Sequence, residues 1–190
     1  MLFRLNKIFP DVKIQQTYGL IELGVMRSKS EKNDSLWVKV GCEGIETRVI
    51  DGMLEIKAKS AMLGYLNAPS PFTDDGWFIT GDEVIQKGEY IKILGRKSEM
   101  INVGGEKVYP QEVENVILEI DDVVDVTVYG EPNLLIGNIV CAKVGLSKEK
   151  NNNEFNKILR RYCLTRLEKF KVPIKISIDN HKHYNKRYKK

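Results

Sequence analysis

The stretch GRKSEMINVGGEKVYPQEVE, residues 95–114, decides the fold. Gly95 permits a bend, and the pair Gly104-Gly105 between two short apolar segments has the backbone freedom that a two-residue hairpin turn requires. Pro110 suits the first position of a helix, because its missing N–H would have no intrahelical partner there. The stretch therefore predicts a hinge, a hairpin and the start of a helix.

Short strand-like segments dominate the residues before this stretch. Asp51-Gly52 is a strong signal for a two-residue hairpin, and glycines separate the neighbouring segments. The predicted strands are 12–17, 36–40, 47–50, 53–57 and 89–94, with a short aromatic strand within 74–82. Short strands at this spacing predict a small β-barrel-like or sandwich subdomain over residues 1–95.

Helices and strands alternate after the stretch. A first helix begins at Pro110, where Glu112 and Glu114 place negative charge near its start, which the helix dipole favours. Its apolar face is Val113, Val116, Ile117 and Ile120. A second amphipathic helix covers 155–167, and strands are predicted at 123–129, 138–144 and 174–178. The order β-α-β-β-α-β predicts an α+β layer, so we place a domain boundary at Gly95-Arg96, between domains 1–95 and 96–190.

The composition is that of an ordinary globular protein, with 42% hydrophobic and 29% charged residues in 190. No apolar run approaches the ~20 residues that span a bilayer, and the N-terminal apolar stretch is too short for a signal peptide. We therefore expect a cytoplasmic protein without a membrane span. The three cysteines lack metal-ligand spacing, and His181 and His183 have no candidate partners elsewhere, which argues against a zinc site or a histidine-based triad.

The last ten residues, 181–190, concentrate cations and aromatic side chains. Such a segment is typical either of a site for nucleic acid or a phosphorylated ligand, or of a solvated chain end. We favour the solvated end and expect no nucleic-acid partner.

Five motifs follow one another along the chain. They are Tyr18-Gly19-Leu20-Ile21-Glu22, Met53-Leu54-Glu55 through Gly64-Tyr65-Leu66-Asn67, Gly76 through Asp82, the stretch 95–114, and Lys171-Val172-Pro173. Their order and spacing resemble those of the adenylate-forming (AMP-binding) enzymes, which include acyl- and aryl-CoA ligases, adenylation domains of peptide synthetases and luciferases. The segment Asn-Val-Gly-Gly-Glu-Lys-Val, residues 102–108, is most similar to the corresponding segment of the acyl- and aryl-CoA ligases.

The resemblance implies an ATP-dependent acid–thiol ligase. Such an enzyme joins a carboxylate, here of a long-chain fatty acid or an aryl acid, to AMP and then transfers the acyl group to a thiol. Implied cofactors are ATP/AMP, Mg²⁺ and coenzyme A, and implied partners are a small carboxylic acid and coenzyme A, with an acyl-carrier protein or an upstream ligase domain left open. Residues 1–95 would end the large AMP-binding domain, and 96–190 would form its mobile C-terminal lid.

Five residues receive nucleotide or metal roles from this resemblance. Tyr18 would pack on the adenine, with Gly19 beside it in the nucleotide-binding loop. Glu22 would act in catalysis by helping to hold Mg²⁺, a hard cation that prefers oxygen ligands. Asp82 would accept hydrogen bonds from the ribose hydroxyls. Arg96 would contact the ribose and the α-phosphate.

The same resemblance assigns the moving parts. Ser98 would be the hinge about which the lid rotates between the two half-reactions. Gly104 and Gly105 would line the channel for the thiol arm, where the absence of a side chain makes room. The catalytic lysine of the terminal loop would be Lys189, by register from the Lys-Val-Pro segment, with Lys186 as the alternative.

Departures from the family pattern leave other readings open. Tyr188 precedes Lys189 where glycine is usual, Ile21 replaces a threonine, and Ser98 replaces the more usual Asp or Lys. The phosphate loop and acyl pocket of the family lie upstream of the Tyr-Gly motif, so we expect this chain to be incomplete alone. The alternatives are an amino-acid-activating domain that serves a carrier protein, and a non-catalytic module that binds nucleotide or protein.

Overall fold

The computed structural model describes residues 2–41, 43–148 and 151–179. They form two compact units, Leu2–Ser98 and the residues from Glu99 onward. The division follows Ser98, the residue to which the resemblance assigns the hinge. Each unit has its own hydrophobic core.

The first unit consists almost entirely of strands. A short helix, α1 (Leu2–Ile8), precedes eight strands: β1 (Tyr18–Leu20), β2 (Gly24–Met26), β3 (Ser28–Ser30), β4 (Trp37–Val40), β5 (Ile45–Ile50), β6 (Met53–Ala58), β7 (Phe78–Lys87) and β8 (Tyr90–Arg96). β1 and β2 form a two-stranded ribbon, and the others form a six-stranded sheet in the order β3-β4-β8-β7-β6-β5, all antiparallel.

Turn chemistry and strand alternation explain this sheet. Asp51 and Gly52 both have positive φ, 50° and 80°, and join β5 to β6 in the two-residue hairpin that the sequence predicts. Inward-facing apolar residues of β4, β6, β7 and β8 make the core, together with residues of the β1–β2 ribbon. Its most buried members are Met26, Leu54 and Ile56.

The predicted strand at 12–17 is wrong. These residues form no strand. Two of their backbone N–H groups bond to side chains, and not to the backbone of a neighbouring strand. Ile14 N–H donates to Asn33 Oδ1 and Gln16 N–H donates to Ser30 Oγ, each over 3.0 Å. The backbone is therefore anchored without joining a ladder.

The second unit follows a 3-10 turn at Lys97–Glu99. Its elements are β9 (Ile101–Val103), β10 (Glu106–Val108), α2 (Pro110–Ile117), β11 (Val123–Asn133), β12 (Gly137–Leu146), α3 (Asn152–Leu164) and β13 (Lys175–Asp179). The sheet runs β10-β9-β12-β11, and β13 pairs with β12 in parallel. The predicted α+β class is thus confirmed, with the first predicted strand divided into the β9–β10 hairpin.

Both longer helices of this unit pack on one core. Val113 and Ile117 of α2, and Phe155 and Leu159 of α3, lie with the apolar residues of β11 and β12. Asn151 caps the start of α3, and its side chain accepts hydrogen bonds from the N–H groups of residues 153 and 154 at 3.0 and 3.3 Å. Pro110 opens α2, as the sequence predicts.

Candidate active site

Asp82 on β7 lies at the centre of the candidate site in the first unit. Its Oδ2 accepts a hydrogen bond of 2.5 Å from the Tyr18 hydroxyl, and its Oδ1 lies 3.2 Å from Nε of Arg96. Asp82 and Arg96 are cross-strand partners of β7 and β8. Because only 7% of Asp82 is exposed, these contacts replace much of the water that its charge would otherwise bind. Strand pairing therefore joins Asp82 to Arg96, and the side-chain hydrogen bond from the separate β1–β2 ribbon adds Tyr18 as a third predicted site residue.

Thr80 and Gly81 hold Asp82 in place. The buried Thr80 hydroxyl donates to the carbonyl oxygen of Leu54 at 2.8 Å and accepts from the N–H of Asp82 at 3.0 Å. A hydroxyl can make both bonds at once. Gly81 has φ of +77°, which favours glycine there. The Thr-Gly-Asp motif thus has a local structural reason that does not depend on a ligand.

Tyr18 remains a hydrogen-bond donor at physiological pH. Burial raises the pKa of its hydroxyl far above the ordinary value, and the neighbouring Asp82 charge and hydrogen bond raise it further. A deprotonated phenolate beside that carboxylate would place two negative charges together in a site with little water. The proton therefore stays on the tyrosine and is shared with Asp82 through the hydrogen bond.

Glu22 is held by a second tyrosine. The Tyr65 hydroxyl donates to Glu22 Oε1 at 2.6 Å, and the N–H of Met62 donates to the Glu22 carbonyl at 2.9 Å. The hydrogen bond to Glu22 is the main reason that the pKa of Tyr65 is raised. Two separate motifs of the sequence, Tyr18–Glu22 and Gly64–Asn67, are therefore joined.

Gly19 is required by the packing of the β1–β2 ribbon. An added Cβ would lie 3.2 Å from both the carbonyl oxygen of Gly24 and the Cα of Val25, and backbone atoms cannot move aside easily. This close approach accounts for glycine at position 19 whether or not the residue contacts a nucleotide. The nucleotide-binding role of Gly19 stays a prediction.

A concave region of about 570 Å³ opens beside Arg96 in the first unit. Its lining includes Asp51, Gly81, Arg96, Lys97 and Ser98. Two cations and one carboxylate on this surface suit a ligand that carries negative charge near a polar group. Ser98 itself lies in the 3-10 turn Lys97–Glu99.

Gly104 and Gly105 form the turn between β9 and β10 in the second unit, with φ of +63° and +95°. The N–H of Gly104 donates to the carbonyl of Ile136 at 2.7 Å, and that of Gly105 donates to Asn102 Oδ1 at 2.8 Å. The first bond fixes the turn against the β11–β12 connection, and the second closes the β9–β10 hairpin itself. Their role in a thiol channel stays a prediction, and the predicted catalytic lysines, Lys189 and Lys186, lie outside the described residues.

Glu22 fits Mg²⁺ as one oxygen ligand, since this ion commonly keeps several of its waters and takes only one or two carboxylates. Within residues 2–41, 43–148 and 151–179, no group of three or more His, Cys, Asp or Glu side chains could hold a metal ion. A protein cage for a metal is therefore not formed by that part of the chain. Across the same described ranges, no helix is long and apolar enough to cross a membrane.

Comparison with known proteins places this geometry in a family. Residues 112–180 match the family model described as the AMP-binding enzyme C-terminal domain. The 2-succinylbenzoate–CoA ligase of Listeria monocytogenes is 32% identical over 178 residues, which are 88% of this chain and 37% of that protein. The chain belongs to the adenylate-forming enzymes.

Other adenylate-forming enzymes align with the same part of their chains. The long-chain-fatty-acid–CoA ligase FadD13 of Mycobacterium tuberculosis is 36% identical over 141 residues, 72% of this chain and 27% of that protein. The solved structure of the o-succinylbenzoate-CoA synthetase of Bacillus subtilis, in complex with an acyl-adenylate intermediate, matches with a TM-score of 0.65 at 29% identity. The match covers 73% of this chain and 31% of the synthetase chain. The chain therefore spans about a third of the length of these adenylate-forming relatives.

Two contributors to the site were not predicted from the sequence. Tyr65 and Thr80 lay inside quoted motifs of the adenylate-forming pattern, but neither was given a role. Both act through contacts with residues far along the chain, Glu22 and Leu54. Their position within the motifs was the available signal, and a tyrosine or threonine there can donate a hydrogen bond.

Proposed function

We propose that this chain is the C-terminal part of an ATP-dependent acyl-CoA ligase, which adenylates a carboxylate and transfers the acyl group to coenzyme A. The observation that carries the proposal is the buried Asp82, held between Tyr18 and Arg96 in the first unit. The relatives support coenzyme A as the thiol, since those described above are named as CoA ligases. The carboxylic acid is a long-chain fatty acid or an aryl acid, and the expected location is the cytoplasm.

Asp82 and Arg96 suit the ribose and phosphate end of a nucleotide. An ionised carboxylate has two acceptor oxygens with about four lone-pair positions. Tyr18 and Arg96 contact different oxygens of Asp82, which fixes the carboxylate as an acceptor for ribose hydroxyls. The Arg96 side chain is 53% exposed, so its remaining N–H groups can reach an α-phosphate.

Glu22 supplies an oxygen ligand for Mg²⁺, whose positive charge would offset the charge of the triphosphate. The carboxylate is already oriented by Tyr65. We assign no other described residue to the ion.

The second unit is proposed as the mobile lid, with Ser98 as the hinge between domains 1–95 and 96–190. Gly104 and Gly105 present backbone without side chains, which leaves room for a narrow thiol arm. Lys189, or Lys186, would place a cation against the reacting carboxylate and phosphate. A cation about 4 Å from developing negative charge is worth roughly 4 kcal/mol at an effective dielectric near 20.

A chimera tests the proposal. The part of the Listeria monocytogenes ligase that aligns with this chain is replaced by the chain, and ATP-dependent formation of a CoA thioester from 2-succinylbenzoate is followed. We expect thioester formation well above that of the ligase truncated at the same point, and its loss on Asp82→Ala. A folded chimera that binds AMP but releases no pyrophosphate would instead identify a nucleotide-binding module without catalysis.

A further inference from the structure

We infer that Tyr18 is a positioning residue, whose hydroxyl fixes the Asp82 carboxylate in the orientation that receives the ribose. The inference rests on the proposed function, in which Asp82 binds the ribose hydroxyls. It assigns to the Tyr18 hydroxyl a task distinct from packing of its ring on an adenine.

The contact geometry supports this role. Tyr18 and Asp82 are 64 positions apart, yet their side chains meet in a buried hydrogen bond of 2.5 Å. The two carboxylate oxygens have different partners, Tyr18 at Oδ2 and Arg96 at Oδ1. Rotation of the carboxylate would break both contacts, so the two partners fix its orientation.

The Tyr18 side chain is itself held firmly. It belongs to the apolar core of the first unit, and only 8% of the residue is exposed. Little of its ring surface is open for stacking. Its hydroxyl is the part that contacts another candidate site residue, and burial together with Asp82 raises the pKa of that hydroxyl, so that it stays protonated.

The β1–β2 ribbon carries this hydroxyl to the sheet. Tyr18 is the first residue of β1 and pairs with Met26 of β2, which is fully buried in the same core. Gly19 allows the close approach of the two strands, where a Cβ would meet backbone at 3.2 Å. Met26 and Gly19 thus help to hold Tyr18 in place.

The test uses the 190-residue chain and two nucleotides, AMP and 2′-deoxy-AMP, in titrations followed by amide chemical shifts. Tyr18→Phe keeps the ring and removes only the hydroxyl. We expect the wild type to prefer AMP, and Tyr18→Phe to bind AMP about tenfold more weakly, because a hydrogen bond to a charged group is lost. The preference over 2′-deoxy-AMP should disappear in the same variant. A purely structural tyrosine would not alter this preference.

Tyr90→Phe is the matched control. Tyr90 begins β8 at the end opposite Arg96 and should leave both affinities unchanged. If the wild type prefers AMP and Tyr18→Phe keeps that preference, the inference is overturned and the proposed function stands. A wild-type chain that binds neither nucleotide, or binds both equally, overturns the inference together with the ribose role of Asp82.

Discussion

The ammonium nitrogen of Lys171 lies 3.0 and 3.1 Å from the two carboxylate oxygens of Glu112, so the segment before β13 is tied to the first turn of α2. A second carboxylate, that of Glu168, lies 2.7 Å from the same nitrogen. The Lys171 side chain is only 14% exposed. The lysine of the Lys-Val-Pro motif therefore has a structural task within the second unit.

Replacement of Lys171 by Met should destabilise the second unit by about 1–2 kcal/mol, because a partly buried carboxylate loses a charged hydrogen-bond donor. Amide hydrogen exchange in α2 and β13 measures the effect. Lys157→Met is the matched control, since Lys157 is exposed on α3. Equal exchange protection in both variants would show that the Lys171 contacts do not contribute to the stability of the second unit.

The same contacts predict a dependence on alkaline pH. Burial acts to lower the pKa of Lys171, but the bonds to Glu168 and Glu112 outweigh it and raise the pKa above the ordinary 10.5. A raised folded-state pKa means that the stabilisation is fully present below the unfolded value of 10.5 and is lost as the pH rises through the folded value. The difference in exchange protection between wild type and Lys171→Met should therefore vanish at strongly alkaline pH.

Tyr109→Phe should not destabilise the protein and should stabilise it by up to about 1 kcal/mol. Tyr109 is 4% exposed, and its buried hydroxyl has no hydrogen-bond partner among the described residues. Removing an unsatisfied polar group from a buried site is favourable. Urea denaturation of the two proteins, followed by circular dichroism, gives the difference. A clear loss of stability in the variant would reveal a partner for this hydroxyl.

Glu114→Ala should cost about 1–3 kcal/mol, because it leaves the N–H of Val128 buried without its acceptor. Glu114 Oε1 accepts that bond at 2.9 Å, and the residue is 8% exposed. Glu106→Ala on the exposed face of β10 is the control, with an expected change near zero. Similar losses in the two variants would argue against a specific role for the bond.

Arg48 sets the acid titration of Asp75. Its guanidinium lies 2.8 Å from Asp75 Oδ2, and this bond, with that from Thr73, lowers the pKa of Asp75 to about 2. A depressed pKa stabilises the fold above the ordinary 3.8, and this contribution is lost as the pH falls through about 2. Arg48→Met should move the carboxyl ¹³C titration of Asp75 toward 3.8, whereas Arg27→Met should leave it in place.

Local signals predicted much of the fold. Asp51-Gly52, Gly104-Gly105 and Pro110 form the turns and the helix start that their backbone preferences indicate. Periodicity identified α2, because its apolar face repeats within a few residues. These features depend on residues that are close in sequence, so they can be predicted from the sequence alone.

Contacts between distant residues were the part that local signals missed. Glu114 was assigned to the helix dipole, but its carboxylate bonds to β11, whose position cannot be read from α2. The predicted strand 12–17 failed because Asn33 and Ser30 satisfy its backbone. In the candidate site, resemblance supplied Tyr18, Asp82 and Glu22, whereas the Tyr18–Asp82 and Tyr65–Glu22 hydrogen bonds emerged only from the folded chain.

We propose that one chain serves two half-reactions by rotation about Ser98, and the chimera with the Listeria monocytogenes ligase tests this hinge most directly. Ser98→Pro restricts the backbone at the proposed hinge. Pyrophosphate exchange reports adenylation, and thioester formation from supplied acyl-adenylate reports the second step. We expect one rate to fall by about tenfold or more while the other changes by less than about twofold. Equal losses in both rates would contradict it.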